Sequence, residues 1–167
     1  RLLAGLRFRK AMRSRLDEVT FARPIRWLVA LYGGRPLKVR HGEVISGSAT
    51  YGHRFAAPRS IALKGTPEDY VAKLRRAKVL VDPAERREAL EQELAKAAKA
   101  AGGKIRPDEP LVEQVLYLIE HPTGVAGEFE RSNLDLPPEV VVSEMRNHQR
   151  YFALLDGKGR LKNRFVA

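Results

Sequence analysis

The side chains best equipped for chemistry stand near the carboxyl end. "SEMRNHQRYFALLDGKGRL", residues 143–161, sets Arg146, Asn147, His148, Gln149 and Arg150 directly ahead of an apolar run. Two guanidiniums present paired donors that match phosphate oxygens, and the amides and the imidazole can both donate and accept. This is equipment for holding an anion, not for breaking a bond. Arg13 and Arg15 supply two further cations at the amino end, in a segment where Arg1, Arg7, Arg9 and Lys10 alternate with Leu2, Leu3, Leu6, Phe8 and Met12. That mixture predicts a basic, partly buried stretch over residues 1–15. Arg13, Arg15, Arg146, Asn147, His148, Gln149 and Arg150 make up the candidate binding set.

Three other clusters have two readings each. In "FARPIRWL", residues 21–28, Arg23 and Arg26 are either phosphate clamps or partners of Asp17 and Glu18, while the apolar neighbours of Trp27 predict core packing. "YGHRF", residues 51–55, is either a loop that stacks a base and holds a phosphate or a strand end with a glycine bulge, and the structural reading is preferred. "ERR", residues 85–87, falls in a first helical turn and predicts a solvated face.

Catalytic signatures are missing: the chain has no phosphate-binding GxxxxGK[ST], no GxGxxG, no GxSxG and no HExxH. His41, His53, His121 and His148 are far apart in sequence, without the short spacing of metal ligands, so no catalytic residue, cofactor or metal is expected. His53 and His148 read as hydrogen-bonded structural groups or RNA contacts. The absence of cysteine excludes disulfides and thiolate zinc sites and suits a reducing compartment.

Charge sharpens this. Thirty-one Lys and Arg against 20 Asp and Glu give +11, in a chain that is 44% apolar and 31% charged and therefore globular. A polyanion is the natural partner of such a surface. No apolar run is long enough to span a bilayer and nothing resembles a signal peptide, so a cytoplasmic protein with no membrane partner is expected. The chain starts at Arg1 without methionine and stops inside a strand-like run, which reads as a piece of something longer.

The elements that must position these groups alternate in kind. Residues 26–32, "RWLVALY", form a continuous apolar run that predicts a strand buried on both faces, and residues 37–45 predict its hairpin or meander partner. Thr66-Pro67-Glu68-Asp69 and Asp82-Pro83-Ala84-Glu85 are helix starts with a cap, a first-turn proline and an acid. The first helix puts Tyr70, Leu74 and Ala77 on one face; the second lines up Leu90, Leu94, Ala97 and Ala101 before Gly102-Gly103 stops it. A third helix is expected over residues 111–120, begun near Asp108 and Pro110, and a fourth from Pro137-Pro138 to about Asn147. Residues 151–155 and 161–166 then flank the turn at 156–159 as a hairpin. Strands, helices and strands again predict one α+β domain over residues 1–167, a mixed or antiparallel sheet packed against several helices, with a basic amino-terminal segment over residues 1–20.

Taken in order, "FRKAMR" (8–13), "FARPIRWLVAL" (21–31), "ISGSATYGHRF" (45–55), "DYVAKLRRAKV" (69–79), "DPAERR" (82–87), "EHPTGVAGEF" (120–129) and "SEMRNHQRYFALLDGKGRL" (143–161) resemble an amino-terminal part of the β subunit of bacterial heterotetrameric glycyl-tRNA synthetase. The likeness covers nearly the whole chain. One departure is local: the family usually carries Trp-Gly where this chain has Ser14-Arg15. The resemblance implies a fold like the B3/B4 module of phenylalanyl-tRNA synthetase β subunits, ahead of HD-like and anticodon-binding domains. It also implies an aminoacyl-tRNA synthetase (glycine-tRNA ligase) of protein biosynthesis in which the α subunit uses ATP to form glycyl-adenylate and charge tRNA. The partners implied are glycine-accepting tRNA, the α subunit and the remaining β-subunit domains.

The reading this favours is a non-catalytic tRNA-binding and scaffold domain. An editing hydrolase for mischarged tRNA would instead need a pocket for the terminal adenosine and an amino acid, with His53, His121 or Glu144 positioning water. A purely architectural domain would touch no RNA.

Overall fold

A computed structural model describes residues 2–13 and 18–167, so Arg1, Ser14, Arg15 and Asp17 lie outside the described residues. The chain is α+β and divides into two compact units, Arg1–Val79 and Leu80–Ala167.

The first unit is built from short antiparallel ladders. After α1 (Leu2–Gly5), β1 (Met12–Arg13) pairs with β2 (Thr20–Phe21), β3 (Leu31–Tyr32) with β4 (Arg35–Pro36), and β5 (Arg40–His41) with β6 (Val44–Ile45). The β3–β4 turn is Gly33-Gly34, both at positive φ (54° and 78°), the geometry a two-residue hairpin needs and glycine adopts without strain. β7 (Ala49–Tyr51) and β8 (Ser60–Ala62) follow, with Thr50 opposite Ile61, and enclose residues 52–59. α2 (Pro67–Arg76) starts where the sequence expects it: Thr66 Oγ1 accepts from the Asp69 amide at 3.2 Å, and Leu74 and Ala77 are buried.

Two expectations fail here. The run at residues 26–32 supplies only the two residues of β3, with a lone parallel bridge between Val29 and Gly47; Trp27 is 43% exposed, edge-on to Tyr51 at 4.8 Å, and Tyr32 is 80% exposed. Apolar continuity gives a two-faced strand only where other elements cover both faces, and the short ladders of this unit do not. Along residues 4–13 the chain is exposed throughout, so the partly buried basic stretch is a surface one.

The second unit is a four-stranded antiparallel sheet in the order β10-β12-β11-β9, with β9 (Lys104–Ile105), β10 (Ala126–Glu128), β11 (Phe152–Leu155) and β12 (Leu161–Val166). Period-two alternation divides its side chains between two clusters. Phe152, Leu154 and Val166 pack with Leu90, Leu94 and Ala98 of α3 (Pro83–Ala100) and Leu111 and Leu116 of α4 (Glu109–Leu116). Ala153, Leu161 and Phe165 pack with Val141 of α5 (Pro138–Glu144) and with Met145. Each fully buried leucine contributes about 1.5–3 kcal/mol of apolar transfer free energy, so the helical stripes of α3 and α4 anchor the unit. Gly127 permits the second cluster: a Cβ there would lie 2.3 Å from the Phe165 ring, which stacks on Tyr151 at 4.2 Å and 3°.

α3 follows its sequence signals, capped by Asp82 accepting from the Ala84 amide at 2.8 Å and closed by Gly102 at φ +65°. α4 ends at Leu116, short of Glu120. The first turn of α3 departs from a solvated face: Arg86 is half-buried and donates Nε to Leu116 O (2.9 Å) and Nη1 to Leu80 O (2.5 Å), fastening the chain on either side of it.

Candidate functional site

Of the seven candidate residues, five meet in one turn. α5 runs on into a π-helical turn, Met145–Gln149, which Arg150 ends in the left-handed region (φ 61°, ψ 32°) while the Tyr151 amide bonds Met145 O at 3.0 Å. The two guanidiniums here already have partners. Arg146 Nε sits 3.3 Å from Asp108 Oδ2, and Arg150 Nη1 donates to Arg146 O at 3.0 Å and to Asn147 O, capping its own turn. Asn147 Nδ2 donates to Ser143 Oγ at 2.9 Å, and His148 Nε2 is 3.7 Å from Glu144 Oε2, an ion pair only when the imidazole is protonated. Gln149 borders a hollow of about 380 Å³ beside Phe129, Leu136 and Tyr151. Arg13 belongs to the other unit, on β1, where it pairs with Glu18; Arg15 is outside the described residues.

Charge is divided very unevenly. Residues 1–79 carry 18 Lys and Arg against 5 Asp and Glu, a balance of +13; residues 80–167 carry 13 against 15, a balance of −2, and the two together make the chain's +11. The excess positive charge therefore resides wholly in the first unit. In the second, several cations are spent on local carboxylates: Arg87 on Glu91 and Glu109, Arg160 on Asp156, and Arg164 on Glu128. In the first, the side chains of Arg23, Arg26, Arg59, Arg76 and Lys78 are exposed and make no ion pair with any described residue. Since Glu18 is taken by Arg13, it does not serve Arg23 or Arg26.

The loop of residues 52–59 organises part of this surface. A Cβ on Gly52 would lie 2.4 Å from Ala77 Cβ, so glycine alone lets the loop sit against the end of α2. The His53 amide donates to Ala77 O at 2.8 Å, and His53 Nδ1 accepts from the amides of Phe55 (3.3 Å) and Ala56 (3.2 Å). His53 is thus hydrogen-bonded within the loop, and the β7–β8 ladder that flanks it pairs without a bulge. The same fastening turns Arg54 and Phe55 outward, with the guanidinium 5.7 Å from the ring centroid and Phe55 83% exposed. Arg59, Arg76 and Lys78, absent from the candidate set, become visible only when cations are counted separately for each unit.

The second unit holds a larger groove of about 800 Å³, floored by Leu94, Ala98, Ile105, Val112 and Leu155. Of its four carboxylates, Glu91 and Glu109 pair with Arg87, while Asp108 and Asp156 are bonded to the backbone. Asp108 Oδ1 caps α4 through the Leu111 amide, and Asp156 accepts from the amides of Arg160 and Lys158, which hold its carboxyl below the ordinary aspartate value. Among the described residues there is no group of three or more His, Cys, Asp or Glu able to hold a metal ion, and no helix long and apolar enough to cross a membrane.

Comparison with known proteins decides the family: the model of the glycyl-tRNA synthetase beta subunit matches residues 1–167. The chain belongs to that family. Glycyl-tRNA synthetase beta-subunit relatives include the glycine–tRNA ligase beta subunits of Anaeromyxobacter dehalogenans strain 2CP-C, 79% identical over all 167 residues, and of Myxococcus xanthus strain DK1622, 48% identical over 163 residues or 98% of this chain. That of Syntrophotalea carbinolica is 40% identical over 166 residues, 99% of this chain. The chain spans about a quarter of the length of these relatives, 24%, 23% and 24% respectively.

Proposed function

We propose that the chain is a non-catalytic tRNA-binding and scaffold domain of a glycyl-tRNA synthetase beta subunit, supporting ATP-dependent attachment of glycine to tRNA by the alpha subunit in the cytoplasm. The observation that carries this reading is the concentration of all net positive charge in residues 1–79, with at least five exposed cations free of described carboxylates. Such cations neutralise RNA phosphates and release the counterions condensed on them, which makes binding strong at low salt and weak at high salt. A likeness to the B3/B4 module belongs to the same proposal, as do contacts with the alpha subunit and the remaining beta-subunit domains. The turn at residues 145–150 is a secondary contact in this reading. Gln149, exposed and without a side-chain bond to a described residue, is better placed to reach RNA than Arg146, Asn147 and Arg150, which are already bonded.

The test is equilibrium binding of the chain to glycine tRNA and to a non-cognate tRNA at low and near-physiological salt. Salt-sensitive binding with preference for glycine tRNA is expected. Equal binding of both tRNAs would reduce the domain to a general cationic surface, and absence of binding would leave only a scaffold.

A further inference from the structure

We propose that the loop of residues 53–59 and the end of α2 form a site for an unpaired RNA nucleotide, with Phe55 stacking the base and Arg59 and Arg76 holding the flanking phosphates. This rests on the tRNA-binding reading and assigns it a place and a chemistry.

The loop is preorganised. Four hydrogen bonds hold it, two between backbone groups, His53 N to Ala77 O and Ala57 N to His53 O, and two from the Phe55 and Ala56 amides to the His53 side chain at Nδ1. A phenyl ring 83% exposed on so well fastened a turn stays largely in water, touched only by its own loop: the Arg54 guanidinium lies 5.7 Å from its centroid and the His53 ring 6.2 Å away. Adjoining the loop is an open hollow of about 440 Å³, with Ala57, Pro58, Ile61 and Ala77 as apolar lining and Arg59 and Arg76 as cationic lining. Lys73, also at the hollow, is tied to Asp69 Oδ2 at 2.9 Å and Ala62 O at 2.6 Å, whereas Arg59 and Arg76 have no hydrogen bond or ion pair with a described residue.

An exposed aromatic ring with a guanidinium beside it, next to an apolar hollow rimmed by free cations, matches the two needs of a single-stranded nucleotide: a flat apolar surface for the base and positive charge for the backbone. A base-paired helix keeps its bases stacked within itself and cannot use the ring. A protein partner would have to bury the same cations against its own carboxylates, and it would leave RNA binding indifferent to Phe55.

Three forms of the chain, unsubstituted, Phe55→Ala and Phe55→Trp, are titrated against a labelled short unstructured RNA strand, a blunt-ended fully paired RNA duplex and glycine tRNA. Because Phe55 is exposed, the substitutions leave the fold intact, as circular dichroism will verify. Phe55→Ala should weaken binding of the unstructured strand about tenfold, in line with one lost stacking contact, Phe55→Trp should restore it, and duplex binding should not change. Arg59→Gln with Arg76→Gln should reduce the salt dependence of strand binding. If the unsubstituted chain binds glycine tRNA and Phe55→Ala binds the unstructured strand equally well, this site is wrong while the tRNA-binding reading stands. The site is equally overturned if Phe55→Ala weakens strand and duplex alike. If the unsubstituted chain binds no RNA, both readings fall together.

Discussion

Arg86 and Arg87 are neighbours of the same type in the same helical turn, yet their surroundings give them opposite weight. Arg86 is half-buried and its guanidinium satisfies two backbone carbonyls, Leu116 O at 2.9 Å and Leu80 O at 2.5 Å, so removing it leaves both acceptors short of a charged donor. Arg87 bridges Glu91, Glu109 and Glu113, all three of them largely exposed, where solvent screens the attraction. Arg86→Ala should therefore cost about 2 kcal/mol of unfolding free energy and Arg87→Ala should hardly move the midpoint. Urea titration of the two variants checks this, and equal losses would refute the distinction. The dipeptide "RR" cannot carry that difference, because the carbonyl that separates the two side chains belongs to Leu116, thirty residues along the chain.

At the scale of elements, the turn joining β11 to β12 depends on one carboxylate. Asp156 Oδ1 accepts from the amides of Lys158 (2.8 Å) and Arg160 (3.0 Å), and Oδ2 pairs with the Arg160 guanidinium. The Arg160 amide, the largest cause, together with the Lys158 amide and the Arg160 side chain, holds the folded-state carboxyl below its ordinary value of 3.8, so the ionised form stabilises the fold. That contribution is present above the ordinary aspartate value and disappears as pH falls through the lower folded value. Asp156→Asn, which keeps the shape and loses the charge, should be less stable than the parent at neutral pH, with the gap closing as pH drops below 3.8; a gap independent of pH would rule this out. Elements set by such local bonds were legible in sequence. Thr66, Asp82 and Asp108 each cap the helix that follows them, and Gly102 ends the one before it. The strands at Lys104–Ile105 and Ala126–Glu128 were not, since two or three residues become a strand only by pairing with Leu154 and Leu155 or with residues 164–166. Residues 26–32 failed for the converse reason: they look like a buried strand, but burial depends on what covers Trp27 and Tyr32, and their own composition holds no record of it.

On the scale of the whole molecule, composition sets the size of the charge but not how the fold divides it. A net +11 spread evenly would make any exposed lysine or arginine a comparable RNA contact, and the cluster at residues 146–150 would then be a natural first choice. The division at Val79 places +13 on one side and −2 on the other, and local ion pairs quench much of what positive charge the second unit has. Phosphate contacts should follow the field, since each neutralised phosphate releases condensed counterions and steepens the fall of affinity with salt by about 0.9 in log–log slope for a duplex. Two double substitutions of equal formal charge separate the possibilities. Arg23→Gln with Arg26→Gln removes two exposed, unpaired cations from the first unit, and Lys104→Gln with Lys158→Gln removes two exposed ones from the second. For glycine tRNA, the first pair should flatten the slope by about one to two and weaken binding at every salt concentration, while the second should leave both slope and affinity near the parent's. Equal flattening by the two pairs would mean that RNA lies across both units or that the cations act only through total charge. Flattening by the second pair alone would move the interface back toward the turn at residues 145–150.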